Sequence, residues 1–291
     1  MSMPASVDMA SIWAQAIESG AIDRWAPDAD RDYWQTHGDA YDDRFPDGPP
    51  EGFDAVAEAT AEARTALEIG PGTGRYTMRL APQVEQMTVV DYAPSMLDRL
   101  QTRLTNQGID GVTCREGRWP AVGAAPHDLV LAAWTTYSQR EIDAALDAMV
   151  AATRRRLVIV DSAGVAPPHT KLLAAVCGDD PPDPAPRALY VVSYLWETGV
   201  RASLTVDSAR RCYEADSSQS IATQLAPEAN PATISTLADR LDDHLEPTAE
   251  GVRYQYEIPA GVVVWDPTDE SLAEGSSGDG RSDATESGGP D

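Results

Sequence analysis

Apolar residues first recur at helical spacing at Met9, Ile12, Trp13, Ala16 and Ile17, with Asp8 placed to cap the run and Gly20 to stop it. This predicts an amphipathic helix over 8–19, lying outside the core fold. A proline- and glycine-rich break at 46–50 precedes an alanine-rich helix over 51–64. The pattern then alternates. Short apolar strands at 65–70, 87–91, 112–115, 128–133 and 156–161 are separated by helical stretches at 74–81, 94–106 and 139–152. Alternation of this kind implies a parallel sheet with helices on both faces. Beyond it come an acid- and proline-rich loop at 178–186, a helix over 187–198 and strands at 201–206 and 210–214. A helix over 231–245 and a strand pair at 252–258 and 261–265 complete the pattern. From 266 to 291 Gly, Ser, Asp and Glu dominate, so the tail cannot bury enough surface to offset its ordering entropy and is expected to be disordered.

The first strand runs into Glu68-Ile69-Gly70-Pro71-Gly72-Thr73-Gly74-Arg75. Glycines here allow a tight turn and a close backbone approach to a ligand, and the helix behind them offers unpaired N–H groups. A dinucleotide fingerprint would need its third glycine at position 75, where Arg75 stands. The second strand ends in Asp91, whose carboxylate suits both ribose hydroxyls of an adenosine. In the helix that follows, Leu97, Leu100 and Leu104 are spaced to pack on the sheet.

The spacing Glu68-x-Gly70-x-Gly72-x-Gly74 resembles the first motif of the class I S-adenosylmethionine-dependent methyltransferases. Asp91-Tyr92-Ala93-Pro94-Ser95-Met96-Leu97 resembles a second pattern of the small-molecule members, with one residue more between acid and serine. The resemblance implies a three-layer, Rossmann-like α/β fold: a mostly parallel seven-stranded sheet with an antiparallel last strand, plus an N-terminal helical lid. It implies S-adenosylmethionine as cofactor, held by Glu68, Gly70, Pro71, Gly72, Gly74, Asp91, Tyr92 and Met96. The turn Gly117-Arg118-Trp119-Pro120 follows the third strand, where the family commonly places an acid for the adenine amino group. Arg118 occupies that slot, and Trp119 either covers the adenine or packs under the loop.

The fourth strand leads to Trp134, Thr135 and Tyr137 and lacks the motif of methyltransferases that act on exocyclic amines of DNA or on glutamine. Trp134, Thr135 and Tyr137 are therefore expected to line the cofactor's methyl end or the acceptor pocket, with Trp134 taken as a cofactor residue and Tyr137 as an acceptor-pocket residue. Upstream, Trp34 and Tyr41 stand in a segment resembling the aromatic approach to the core in small-molecule methyltransferases. They either flank the acceptor pocket or staple the N-terminal helices to the core. Aromatic faces suit a sulfonium cation.

Composition adds a setting. There are 47 Asp and Glu against 22 Lys and Arg, a formal net charge of -25, and Lys171 is the sole lysine. Acids spread along the chain would repel in dilute buffer and be screened at molar salt, where the Debye length is about 3 Å. A halophilic composition is the reading, and a nucleic-acid partner is disfavoured on charge. Cys114, Cys177 and Cys212, and His37, His127, His169 and His244, show no disulfide or metal-ligand spacing. The chain opens without a charged and apolar leader pattern, so a soluble cytoplasmic protein is expected.

The expected organisation is a helical cap at 1–50, a cofactor-binding methyltransferase domain at 51–265 with substrate-specific additions at 166–250, and the tail. The expected activity is direct methyl transfer to a small-molecule acceptor with no metal and no assignable catalytic base, although His37 and His169 are the candidates where deprotonation is needed. The alternatives are a nicotinamide-dependent oxidoreductase and a cofactor-binding interaction module without turnover.

Overall fold

A computed structural model describes residues 8–22, 33–35, 44–45, 48–181 and 183–268. Tyr41, His37 and residues 269–291 of the expected tail lie outside the described residues.

The first helix, α1 (Met9–Glu18), is capped by Asp8, whose side chain accepts from the Ser11 N–H at 3.1 Å. It does not lie outside the core. Trp13 is fully buried beside Leu146, Met149 and Leu195, and its indole N–H donates to the Gln139 carbonyl at 2.8 Å. Burial of side chains of this size is worth about 1.5–3 kcal/mol each, enough to draw the helix into the core.

The alternating region follows as α2 (Phe53–Thr60), β1 (Thr65–Ile69), α3 (Thr77–Leu80), β2 (Gln86–Asp91), α4 (Pro94–Gln107), β3 (Val112–Glu116), β4 (His127–Ala133), α5 (Ile142–Ala151) and β5 (Thr153–Ser162). Then come α6 (Pro168–Cys177), α7 (Arg187–Glu197), β6 (Ser203–Ala215), α8 (Ser218–Leu225), α9 (Pro231–Leu241), β7 (Glu246–Pro247) and β8 (Val252–Trp265). The sheet runs β3-β2-β1-β4-β5-β8-β6, with β7 added against β8. The first five strands are parallel; β8 is antiparallel to β5, β6 and β7.

Three differences from the sequence reading have physical causes. The expected strand pair at 252–258 and 261–265 is one continuous strand, because Pro259 and Gly261 stay in register with Ser208 and Val206. The same pairing fuses 201–206 and 210–214 into β6, and among the long strands β8 alone runs opposite to the rest, as the expected antiparallel last strand. The helix expected from Gly74 begins only at Thr77, since the glycine turn continues through a Gly74 N–H to Pro71 carbonyl bond at 2.9 Å.

Strand residues alternate between two apolar layers, as their period of two requires. Leu67 and Ile69 pack with α1, α5 and α7, whereas Ala66 packs with α2, α3 and α4. A third cluster joins α8 and α9 to Tyr213 and Tyr254 at the far end of β6 and β8. No helix among the described residues is long and apolar enough to cross a membrane.

Candidate active site

In the parallel sheet, β2 and β3 lie to one side of β1 and β4 and β5 to the other, so the connections diverge at the β1–β4 junction. Ligands in such sheets bind beyond the carboxyl ends of the strands at that point. A crevice of about 610 Å³, counted with its opening to solvent, sits there. Its lining brings together Trp34, Glu68, Gly70, Pro71, Gly72, Asp91, Tyr92, Met96, Trp134 and Tyr137.

The turn after β1 is fixed by close packing. Gly70 has φ +69°, and a Cβ there would come within 2.3 Å of the Thr135 hydroxyl at the end of β4. Gly72 has φ +55°, and a Cβ there would meet nothing within 4 Å, so its missing side chain leaves room on the crevice side. Its N–H donates to Asp91 Oδ2 at 3.2 Å, while Asp91 Oδ1 accepts from the Ala93 N–H at 2.9 Å. A carboxylate offers about four lone-pair positions, so two remain for hydroxyl donors.

Both acids are displaced from ordinary carboxylate behaviour. Burial pushes the Asp91 carboxyl up to about 6, against the opposing Ala93 and Gly72 hydrogen bonds. Burial raises Glu68 to about 7, the Thr77 hydroxyl opposing it and the Asp91 charge adding to it. Thr77 donates to Glu68 Oε2 at 2.6 Å. A cation entering the crevice would favour the ionised form of both.

The other wall is aromatic. Trp134, at the end of β4, holds φ +53°, a sparsely populated conformation for a bulky residue, and its indole nitrogen is buried without a hydrogen-bond partner. Trp34 donates its indole N–H to the Tyr137 hydroxyl at 3.2 Å. The Arg187 guanidinium lies 5.9 Å over the Tyr137 ring and pairs with the fully buried Asp161 at 2.6 Å. Asp161 also accepts from the Thr136 hydroxyl, so the loop after β4 is anchored to β5.

The sequence reading expected Thr135 in the lining and did not single out Arg75, Tyr76 or Ala133. Arg75 pairs with Glu51, which also pairs with Arg211 from β6. Burial alone would raise the Glu51 carboxyl; the Arg211 and Arg75 charges outweigh it and hold it below the ordinary range. Phe45 lies between these guanidiniums, at 4.1 Å from Arg75 and 4.5 Å from Arg211. The position directly after Gly74 was the available signal for Arg75; the Glu51–Arg211 partnership spans 160 residues and leaves none.

Three predicted residues lie outside this lining. Gly74 packs against Leu100, where an added Cβ would approach to 2.4 Å. Trp119 is buried in the core with its indole N–H on the Ala145 carbonyl at 2.9 Å. Arg118 lies 4.4 Å over the Tyr92 ring in a neighbouring cleft that Trp119 and Tyr92 share. Among the described residues no cluster of three His, Cys, Asp or Glu side chains could hold a metal.

The site fits an adenosine-bearing cofactor by its own features. Asp91 keeps unused acceptor positions, Gly72 leaves space, and the Trp134 indole N–H lacks a partner.

Residues 66–156 match the methyltransferase domain family. The chain is 34% identical over 88 residues to nodulation protein S of Bradyrhizobium diazoefficiens, covering 30% of this chain. That alignment spans 41% of the relative, so the chain accounts for about two fifths of its length. Among solved structures, the Bradyrhizobium japonicum N-methyltransferase NodS in complex with S-adenosylhomocysteine is 15% identical, covering 74% of this chain and 85% of that one, with a TM-score of 0.42. The Synechocystis magnesium protoporphyrin IX methyltransferase is 16% identical, covering 62% and 91%, with a TM-score of 0.47.

Proposed function

From the methyltransferase domain at residues 66–156, we propose that the chain is an S-adenosylmethionine-dependent methyltransferase acting on a small-molecule acceptor. The observation that carries the reading is the partly unsatisfied Asp91 carboxylate beside the open Gly72 turn. When bound, S-adenosylmethionine would supply a sulfonium methyl group for transfer to an acceptor lone pair, the carbon–sulfur bond breaking to leave a neutral thioether.

The chain's own residues bind, orient and exclude water. Asp91 holds the ribose hydroxyls and Tyr92 and Met96 flank the adenosine. Glu68 places negative charge near the cofactor's ammonium end, and Trp134 offers its unpartnered N–H. Trp34 and Tyr137, joined by their hydrogen bond, border the methyl end and fix the direction of acceptor approach. Aligned attack, rather than a dedicated base, supplies the rate. A nicotinamide dinucleotide fits less well, because Arg75 replaces the third glycine and is engaged by Glu51 and Phe45.

The reading extends to organisation: residues 51–265 form the catalytic domain, 1–50 its cap, and 166–250 the acceptor-side additions. It places the protein in a salt-rich cytoplasm, where its charge of -25 is screened. Incubation with methyl-labelled S-adenosylmethionine and an acceptor library tests it. Acceptor-dependent formation of S-adenosylhomocysteine is expected, and cofactor binding without turnover on any acceptor would favour an interaction module.

A further inference from the structure

A second cavity, about 1570 Å³ counted with its mouth, adjoins the crevice. Neighbouring residues border both. Trp34 lines the crevice and Tyr33 the cavity, with their rings edge to face at 5.1 Å. Arg211 also reaches both: its guanidinium lies 5.3 Å over Trp134, and its backbone registers with Tyr256 of the cavity.

No residue of β1–β5 lines this cavity. Its walls come from α6, the α8–α9 connection and the ends of β6 and β8. Tyr213 and Tyr256 present nearly parallel rings, 17° apart in plane at 6.3 Å, and His169 stands 5.4 Å from Tyr256. His169 is 8% exposed, and its Nδ1 has no hydrogen-bond partner. Burial holds its imidazole near 4, so it is neutral at neutral pH and can accept a hydrogen bond from a ligand.

At the same cavity, Arg44 lies 5.8 Å over the Tyr213 ring. No carboxylate among the described residues pairs with it. A guanidinium already on this aromatic face disfavours a cationic ligand and offers a planar fork to a carboxylate. Paired tyrosine faces favour a flat ring over an aliphatic chain.

We propose that this cavity is the acceptor site and takes planar aromatic acids. The ring lies against Tyr213 and Tyr256, the carboxylate meets Arg44, and a ring hydroxyl or amine donates to His169. The proposal rests on the methyltransferase reading, which places the cofactor next door.

Calorimetric titration of the full chain in molar KCl separates the two readings. The probes are 4-hydroxybenzoate, phenol and cyclohexanecarboxylate, each with and without saturating S-adenosylhomocysteine, which is also titrated alone. We expect 4-hydroxybenzoate to bind at least tenfold tighter than either partial probe and together with S-adenosylhomocysteine. Arg44→Gln should weaken it about tenfold while S-adenosylhomocysteine affinity stays within twofold. Tyr256→Leu should weaken it and Tyr256→Phe should retain it. If S-adenosylhomocysteine binds and 4-hydroxybenzoate does not, or if the two exclude each other, the acceptor assignment falls and the cofactor reading stands. If S-adenosylhomocysteine itself fails to bind, the cofactor reading falls and takes the acceptor role with it.

Discussion

Asp91 accepts the Gly72 N–H at 3.2 Å, so the acid that ends β2 is tied directly to the glycine turn that follows β1. The bond fixes a carboxylate and an open backbone in one place, and the sheet order brings them there. Removing the carboxylate should therefore affect ligand binding more than folding. Asp91→Ala is expected to weaken S-adenosylhomocysteine at least tenfold, about 1.4 kcal/mol or more, measured by calorimetry. Unchanged affinity would remove Asp91 from the site.

Glu68 is a buried acid whose ionised form costs stability. Its folded value near 7 lies above the ordinary 4.5, so its neutral form favours the fold. The stabilising contribution is complete below about pH 4.5 and is lost as pH rises through about 7. Glu68→Gln keeps an acceptor for Thr77 and removes the buried charge. It should raise stability at pH 8 by on the order of 2–3 kcal/mol, with little gain at pH 4. Denaturant melts at both values check this; equal gains at the two would contradict it.

His169 carries the opposite dependence. Its folded value near 4 lies below the ordinary 6.5, so its contribution is complete above pH 6.5 and is lost as pH falls through 4. His169→Phe should flatten that part of the stability curve. Identical slopes for the two proteins between pH 6.5 and 4 would rule the assignment out.

Arg187 pairs with Asp161, which is fully buried at the end of β5. Arg187→Met leaves that carboxylate without its cation and should destabilise the chain by about 3–5 kcal/mol. Asp161→Asn combined with Arg187→Met should recover part of the loss, since no buried charge then remains. A thermal melt showing no change for Arg187→Met would contradict the pairing.

Trp119 separates packing from cofactor contact. Its indole N–H is committed to Ala145 inside the core. Trp119→Phe should cost about 1 kcal/mol for the lost hydrogen bond, plus any packing loss, and leave S-adenosylhomocysteine affinity within twofold. A large affinity loss without destabilisation would return Trp119 to the adenine.

The centre of the fold was legible because local pattern and tertiary role coincide there. β1, the glycine turn and β2 form one short stretch, and Glu68, Gly72 and Asp91 are readable from its spacing. Helix α6 was missed because it opens on Pro167 and Pro168 and contributes only His169 and Ala174 as buried residues. Helix α8 was missed because its polar stretch contributes only Ile221 and Ala222. β6 read as two pieces because the alternation carried by Leu204 and Val206 stops at Asp207-Ser208, where neither face of this edge strand is marked by an apolar residue. Glu51 was silent for another reason: its partners Arg75 and Arg211 are distant in sequence and meet it only in the folded chain.

The central claim is that the crevice holds S-adenosylmethionine. Its most direct test is a thermal-shift titration in molar KCl with S-adenosylmethionine, S-adenosylhomocysteine and NADH side by side. A ligand bound only by the folded state raises stability by RT ln(1 + [L]/Kd), about 2.7 kcal/mol at a hundredfold excess over Kd. The account predicts concentration-dependent shifts with the two sulfur compounds and none with NADH. A shift with NADH alone, or with none of the three, would contradict it.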